Sequence, residues 1–429
     1  MQIHVVKSGD TLYGISNLYS VPVGTLVEAN EISNPNNLVV GQTIVIPIMG
    51  SYHFVQPGES LYSISNMYEI PVNMLMSVNN IQSVYELPVG YRLYIPQKPR
   101  TVIETSAYDD ISLSGENSPK IISDIGDNLT YLPVFSYQVN SDGSINPLND
   151  DATLIEAKKR NIAPLMVITN IMDGQFSTEL ATTILSSDEL QDKLLDEVVK
   201  VMVEEEYYGL DVDFEYLGEE NKERYVKFLD KANKRIKAQD PSYILSVALP
   251  PKVRSDQPGT LYEGHDYEAI GKIADKVFLM TYEWGWSGGP PMAVSPIDKV
   301  SKVMDYAIST IPKEKIYMGV PLYGYDWTLP YVEGGTWAKA IDQVKAYDIA
   351  SKYGASIEYD EKAQTPFFTY TDEEGKEHEV WFEDARSYQA KFDYVKELGI
   401  NGLFNWVLGF NSPHNWLLIV DNFVPVKLR

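Results

Sequence analysis

The chain contains no cysteine in 429 residues. That excludes disulfides, thiolate metal sites and a cysteine nucleophile. Basic residues are scarce: 35 Lys and Arg stand against 60 Asp and Glu, for a net charge of −25 and a pI near 4.6. Nucleic acid is therefore not an expected partner, because phosphate contacts need basic patches, and an anionic membrane surface is not expected on the same ground. Histidine occurs five times, at His4, His53, His265, His378 and His414, with no ligand spacing among them. Hard-cation sites draw carboxylates mainly from loops, so no metal and no cofactor is expected. No apolar run approaches the roughly 20 residues of a membrane span. The first residues, MQIHVVKSGDTL, show neither a basic n-region nor an apolar h-region, and no signal peptide is expected. Tyrosine, by contrast, is abundant at 30 copies. It joins a flat apolar face to a hydroxyl, a pairing suited to polar ring-shaped ligands as well as to ordinary packing.

The chain opens on an internal repeat. "HVVKSGDTLYGISNLYSVPVGTLVEANEI" from His4 aligns without a gap on "HFVQPGESLYSISNMYEIPVNMLMSVNNI" from His53, and roughly 19 of 44 positions across the whole unit are identical. Each unit reads as strand, helix, helix, strand. Thr11 and Ser60 are placed to cap the first helix, Pro22 and Pro71 to open the second, and "TIVIP" and "RLYIP" to close the unit. This pattern resembles the LysM module over residues 1–48 and 51–97. The resemblance implies binding of N-acetylglucosamine units in peptidoglycan or chitin. The implied groove lies between the loop before the first helix and the loop after the second. Its candidate contacts are Asp10, Thr11, Leu12, Asn30 and Ile32 in the first unit, and Glu59, Ser60, Leu61, Asn79 and Ile81 in the second.

From about residue 100 to 429, apolar strand-like runs alternate with helical patterns. Eight runs read as strands, among them "APLMVITNI", "GLDVDFEY", "YILSVALPP" and "GLFNWVLG". Eight βα units in about 330 residues predict a TIM (β/α)8 barrel. The surplus length falls between the last two strands, at about 329–383, as a small α+β insertion placed to wall the cleft.

The fourth run carries the chemistry. Side chains alternate along a strand, so Asp211, Asp213 and Glu215 share one face while Leu210, Val212, Phe214 and Tyr216 share the other. The acids thus point into the barrel, with Glu215 nearest the C-terminal end where such barrels place their sites. Crowded, desolvated carboxylates cannot all ionise cheaply. The expected result is a shared proton and a Glu215 that is protonated near neutral pH, a general acid.

This run resembles the D-G-x-D-x-D-x-E signature of family 18 glycoside hydrolases. "FLMTYE" is similar to that family's Met-x-Tyr-Asp strand, "GVPLYG" to its seventh strand and "GLFNWVLG" to its eighth. The resemblance implies hydrolysis without an enzyme nucleophile, the substrate's 2-acetamido oxygen attacking the anomeric carbon. It implies Glu215 as acid and base, Asp213 as the group orienting the acetamido, Asp211 as its proton partner and Tyr282 as a donor to the acetamido oxygen. Trp406 becomes the sugar floor, and Met280, Glu283, Asn170 and Tyr325 further substrate contacts. Three positions depart from the pattern: Tyr208 replaces the signature's first Asp, Glu283 replaces the Asp after Tyr282, and strand three ends in "ITN", leaving Asn170 to supply polar contacts. Trp284, Trp286, Trp327 and Trp381 are candidate sugar platforms.

With two LysM units ahead of it, the whole resembles the cortex-lytic N-acetylglucosaminidases of spore-forming bacilli. That implies a peptidoglycan cortex glycan as partner, and a protein made in the mother cell without a signal peptide and placed at the spore's coat–cortex boundary. A chitinase, or a silent carbohydrate-binding coat protein, are the alternatives.

Overall fold

The structure is a computed structural model in which residues 1–85 and 87–428 are described. Eight parallel strands close into a barrel: Thr101–Ala107, Tyr131–Gln138, Ala163–Thr169, Gly209–Asp213, Ile244–Leu249, Lys276–Leu279, Ile316–Pro321 and Gly402–Trp406. Neighbours pair in chain order, and the eighth strand closes onto the first at Gly402↔Glu104. Helices sheathe the barrel for a reason visible in their spacing. In Asp188–Glu204 the buried positions are Gln191, Leu194, Leu195, Val198 and Met202, one apolar stripe at helical period, and Ser187 caps the start by accepting from the Leu190 amide.

Two cores result. Leu210, Val212 and Phe214 point outward into the layer between sheet and helices. Tyr131, Leu165, Val167, Phe278, Tyr317 and Phe404 fill the barrel interior. Below the acids the floor is aromatic and tight: Phe278 stacks on Phe404 at 5.1 Å between centroids and meets Tyr317 edge-on at 4.9 Å.

The insertion is larger than its sequence pattern suggests. A five-stranded antiparallel sheet begins at Tyr323, directly after barrel strand seven, and ends at Trp381. Its strands are Tyr323–Thr328, Lys339–Asp342, Glu358–Asp360, Thr365–Thr371 and Glu377–Trp381, with helix Gln343–Tyr353 packed against them. Its first strand reads as a continuation of strand seven, which hides its start in the sequence.

Both N-terminal units are βααβ. The first pairs Gln2–Val5 with Thr43–Ile46 around helices Leu12–Tyr19 and Val23–Asn30; the second pairs Ser51–Phe54 with Arg92–Ile95 around Leu61–Tyr68 and Val72–Val78. Thr11 and Ser60 cap their helices. Pro22 and Pro71 sit at the cap position of the second helices rather than inside the first turn.

Gly402 marks the tightest approach at the barrel's N-terminal end: a Cβ there would lie 2.2 Å from the Tyr317 ring. That ring cannot swing away, because the Tyr317 hydroxyl is bonded to Glu104, itself ion-paired with Lys276 at 2.6 Å. Gly402→Ala is therefore expected to destabilise the barrel by about 1–3 kcal/mol, read as a lower midpoint in thermal or denaturant unfolding.

Candidate active site

Strand four ends at Asp213, and Glu215 stands one step beyond it, on the loop at the barrel's C-terminal mouth. Asp211 and Asp213 are buried in the interior and Glu215 is half-buried. The alternation holds only to Phe214. Tyr216, expected on the outward face, adopts φ +53° and is exposed at the cleft, because the strand has already turned.

Two side chains hold the Glu215 backbone. Asn170 reads it on both sides: its Oδ1 accepts from the Glu215 amide at 2.9 Å and its Nδ2 donates to the Glu215 carbonyl at 2.9 Å. His265 Nε2 donates to the Phe214 carbonyl at 2.9 Å. Burial lowers the His265 pKa to about 4, so the ring stays neutral. Phe214 is stacked against Tyr225 and Phe228 of the following helix. Asn170 is thus a brace, wholly buried with its amide consumed by backbone. The expectation that its side chain contacts a substrate is corrected by that geometry.

The acids differ in their surroundings. Asp211 accepts from the Tyr108 hydroxyl at 2.7 Å and from Ser246 Oγ. Burial pushes it up to about 6, and the hydrogen bonds from Ser246 and Tyr108 pull the other way. Asp213 has one buried carboxylate oxygen without a partner among the described residues. Burial first, then the charges of Glu215 and Asp211, hold it well above the ordinary carboxylate range. Glu215 is pushed up to about 8, by burial and then by the nearby Glu283. A group with that value carries its proton at neutral pH and can donate it.

A cleft of about 420 Å³ lies over these groups. Asp213, Glu215, Tyr282, Glu283, Met280 and Trp406 all line it. The Tyr282 hydroxyl is held protonated by burial and by the surrounding acids, leaving it a donor. The Trp406 indole is fixed by edge contacts from Phe135 at 5.1 Å and Tyr108 at 5.4 Å. Glu283 sits at φ +65°, a costly conformation for a non-glycine residue. Its Oε1 accepts from the hydroxyls of Tyr323 and Tyr325. Tyr325 is therefore buried behind Glu283 and is not part of the cleft wall, which corrects its placement as a direct contact. Trp286 lines the cleft, Trp327 and Trp381 are core, and Trp284 packs on the outer core.

Phe135, Phe176, Pro250, Pro251 and Tyr262 also wall the cleft, and none is singled out by sequence. Ser246 had a readable signal, because strand five runs beside the acid-bearing strand. Strand one pairs with strands two and eight, so Tyr108 meets Asp211 only across the barrel interior.

The modules bring several corrections. Leu12, Leu61 and Ile32 are core residues of their units. Asn30 and Asn79 each bind the closing strand, at Val45 and at Tyr94, on both its N–H and its C=O. The two amides are thus engaged in holding the closing strands, and Asn30 and Ile32 also line a small cavity between the first module and helix Gln343–Tyr353. Asp10 and Glu59 bind His4 and His53 at 3.0 and 2.6 Å, Thr11 and Ser60 are caps, and Ile81 is half-buried against the second core. Among the described residues no group of three or more His, Asp or Glu is arranged to hold a metal ion, and no helix is long and apolar enough to cross a membrane.

Comparison with known proteins bears on the same regions. The profile "Glycosyl hydrolases family 18" matches residues 108–411, and the LysM domain profile matches residues 4–47 and 53–96. The chain is 51% identical over 431 residues to a protein of Bacillus subtilis (strain 168) named cortical fragment-lytic enzyme, covering 100% of this chain and 99% of that protein. It is 32% identical to a putative sporulation-specific glycosylase, YdhD, of the same organism, across 97% of this chain and 98% of that one. Among solved structures, the spore cortex-lytic enzyme SleL of Bacillus megaterium QM B1551 superposes with a TM-score of 0.91 at 44% identity, covering 100% and 99% of the two chains. A profile spanning most of the barrel, together with relatives aligned end to end, places this chain in glycosyl hydrolases family 18, as a glycosidase with two LysM domains ahead of its barrel.

Proposed function

We propose that this chain hydrolyses the bond that follows N-acetylglucosamine in spore-cortex peptidoglycan, by substrate-assisted, retaining catalysis. One observation carries the reading: a half-buried, protonated Glu215 at the mouth of a cleft, with a proton-hungry Asp213 and a neutral Tyr282 hydroxyl beside it. Glu215 gives its proton to the leaving glycosidic oxygen. The sugar's own acetamido oxygen attacks the anomeric carbon, so no enzyme carboxylate serves as nucleophile and the usual two-carboxylate spacing rule does not apply. Asp213 accepts from the acetamido N–H and holds its oxygen in line, with Tyr282 donating to that oxygen. Asp211, fastened by Tyr108 and Ser246, keeps the inner charge fixed. Water then enters on the opened face, and Glu215, now a carboxylate, takes its proton. Trp406 forms the floor under the reacting sugar.

The full-length likeness to enzymes named for cortex lysis supports peptidoglycan as the substrate. The same likeness supports action on the spore cortex; placement at the coat–cortex boundary, action during germination and synthesis in the mother cell are part of this proposal. Peptidoglycan is anionic, so a net charge of −25 opposes binding at long range. Contacts to neutral N-acetylated sugars, through the cleft and the N-terminal LysM region, supply the affinity.

Glu215→Gln keeps the shape and removes the transferable proton. It is expected to lower the rate by about 10²–10⁴, measured on purified cortex fragments. Borohydride labelling of the products should place the new reducing ends on N-acetylglucosamine. New muramic ends would refute the bond assignment, turnover of chitin oligomers with none of cortex would favour a chitinase, and glycan binding without turnover a silent coat protein.

The rate should fall as pH rises toward about 8, where Glu215 loses its proton. Stability carries the same sign. Above an unfolded value of about 4.3 the unfolded chain releases the Glu215 proton while the native state keeps it, so stability declines with rising pH across that window. Glu215→Gln removes this decline. Its gain in melting temperature over the parent should be small at pH 4.5 and larger at pH 8.

A further inference from the structure

The two modules are near copies in sequence but are held very differently. The closing strand of the first, Thr43–Ile46, is wholly buried, whereas only two of the four residues in Arg92–Ile95 are buried. Val45 belongs to the main barrel core, and Val39 to the insertion core beside Ile341, Ile357, Phe368 and Phe382. The core of the second module is drawn from that module alone.

One matched pair of glycines gives the contrast directly. Gly41 and Gly90 occupy the same turn, at φ +86° and +83°. A Cβ on Gly41 would lie 1.9 Å from the Ile357 carbonyl oxygen, while one on Gly90 would meet nothing within 4 Å.

Polar contacts repeat the pattern. The Ile357 amide donates to the Val40 carbonyl at 2.9 Å. Thr43 Oγ1 and the Tyr347 hydroxyl lie 2.7 Å apart, and Arg386 donates to the Gly41 carbonyl at 3.1 Å. Asn37 donates to Ser351 Oγ at 2.8 Å, and His414 Nε2 to Asn30 Oδ1 at 2.9 Å. Among the described residues, Asn79, the counterpart of Asn30, bonds within its own module. The loop after the second helix, which in the first module lies against the insertion, leaves Val84, Tyr85 and Val89 exposed in the second. Tyr85 is 93% exposed and Tyr62, on the neighbouring helix, 70%. Tyr13 in the first module is as exposed as Tyr62, at 71%, but Asn36 stands there in place of Tyr85, so only the second module pairs two exposed rings. Exposed aromatic rings with hydroxyl tips fit the alternating apolar faces and polar edges of a sugar chain.

We propose that the first module is a clamp of the catalytic body, fastening the insertion to the barrel, and that the second module alone is the surface that holds a polymer of N-acetylated sugars. The second half rests on the polysaccharide reading above. Its consequence is that the modules do not act as two equal hands. Avidity needs both sites to engage one polymer at once, and here the first is committed to the enzyme's own fold.

The test uses the full chain. Gly41→Val and Gly90→Val strain the same turn equally, yet only the first presses on Ile357. Hydrogen exchange read by mass spectrometry should show Gly41→Val accelerating exchange at least tenfold in peptides of the insertion at 339–382, and Gly90→Val confined to 51–97. Acceleration confined to residues 1–48 in Gly41→Val would overturn the clamp. Should Gly41→Val fail to fold, Thr43→Val, which removes only the hydroxyl facing Tyr347, reads the same peptides.

The binding half uses sedimentation with insoluble peptidoglycan in a Glu215→Gln background. Tyr62→Ser with Tyr85→Ser should raise the Kd at least tenfold, while Tyr13→Ser, the counterpart of Tyr62 on the first module, should leave it within twofold. An equal loss with Tyr13→Ser would overturn the assignment to the second module. A parent protein that does not sediment would overturn the polysaccharide reading and the binding half with it, leaving the exchange result to decide the clamp.

Discussion

The structure turns on the cost of carrying three carboxylates into the interior of a barrel. No lysine or arginine lines the cleft among the described residues, so the charges are not answered by ion pairs. They are answered by protons and by neutral donors. Asp211 has two hydroxyl donors and is the least perturbed of the three. Asp213 has a buried oxygen with no partner among the described residues, Glu215 is raised by burial and by Glu283, and both move further upward. A buried anion without compensation is expensive, and protonation is the cheapest relief. The same relief supplies a general acid at neutral pH, so the instability and the chemistry have one cause.

That arrangement is useful only if Glu215 stays where it is. It stands past the end of its strand, outside the ladder of backbone bonds. The fold replaces the missing ladder with side chains. The Asn170 amide pairs with the Glu215 backbone as a neighbouring strand would, and a neutral His265 holds the preceding carbonyl. Phe214, packed among aromatic rings of the next helix, anchors the opposite side. Each brace is buried and each is neutral, so none offsets the raised affinity of Glu215 for its proton.

The modules follow a different economy. Small units of under 50 residues bury little core of their own. The first gains stability by lending Val39 and Val45 to neighbouring cores. The second keeps a self-contained core and more of its surface. Identical fold, similar sequence and different burial produce different opportunities for binding.

Much of this was legible in the residues alone. Period-two alternation across Gly209–Phe214 placed the acids inward, because the strand repeat is fixed by backbone geometry. The module repeat and the eight alternating runs set the architecture for the same kind of reason: local period and order are written along the chain. The rest depends on contacts between residues far apart in sequence. Asn170 reads as a polar residue at a strand end, and only its distance to Glu215 makes it a brace rather than a ligand contact. Tyr325 reads as a cleft aromatic until Glu283 is seen in front of it. Asn30 and Asn79 look alike, and the difference between them is His414, placed beside one and not the other by the final helix. The sequence by itself determined which groups are present and which face of each element carries them. Tertiary structure decided which of those groups still had a free hydrogen-bonding atom for a substrate, since that depends on partners brought together only by folding.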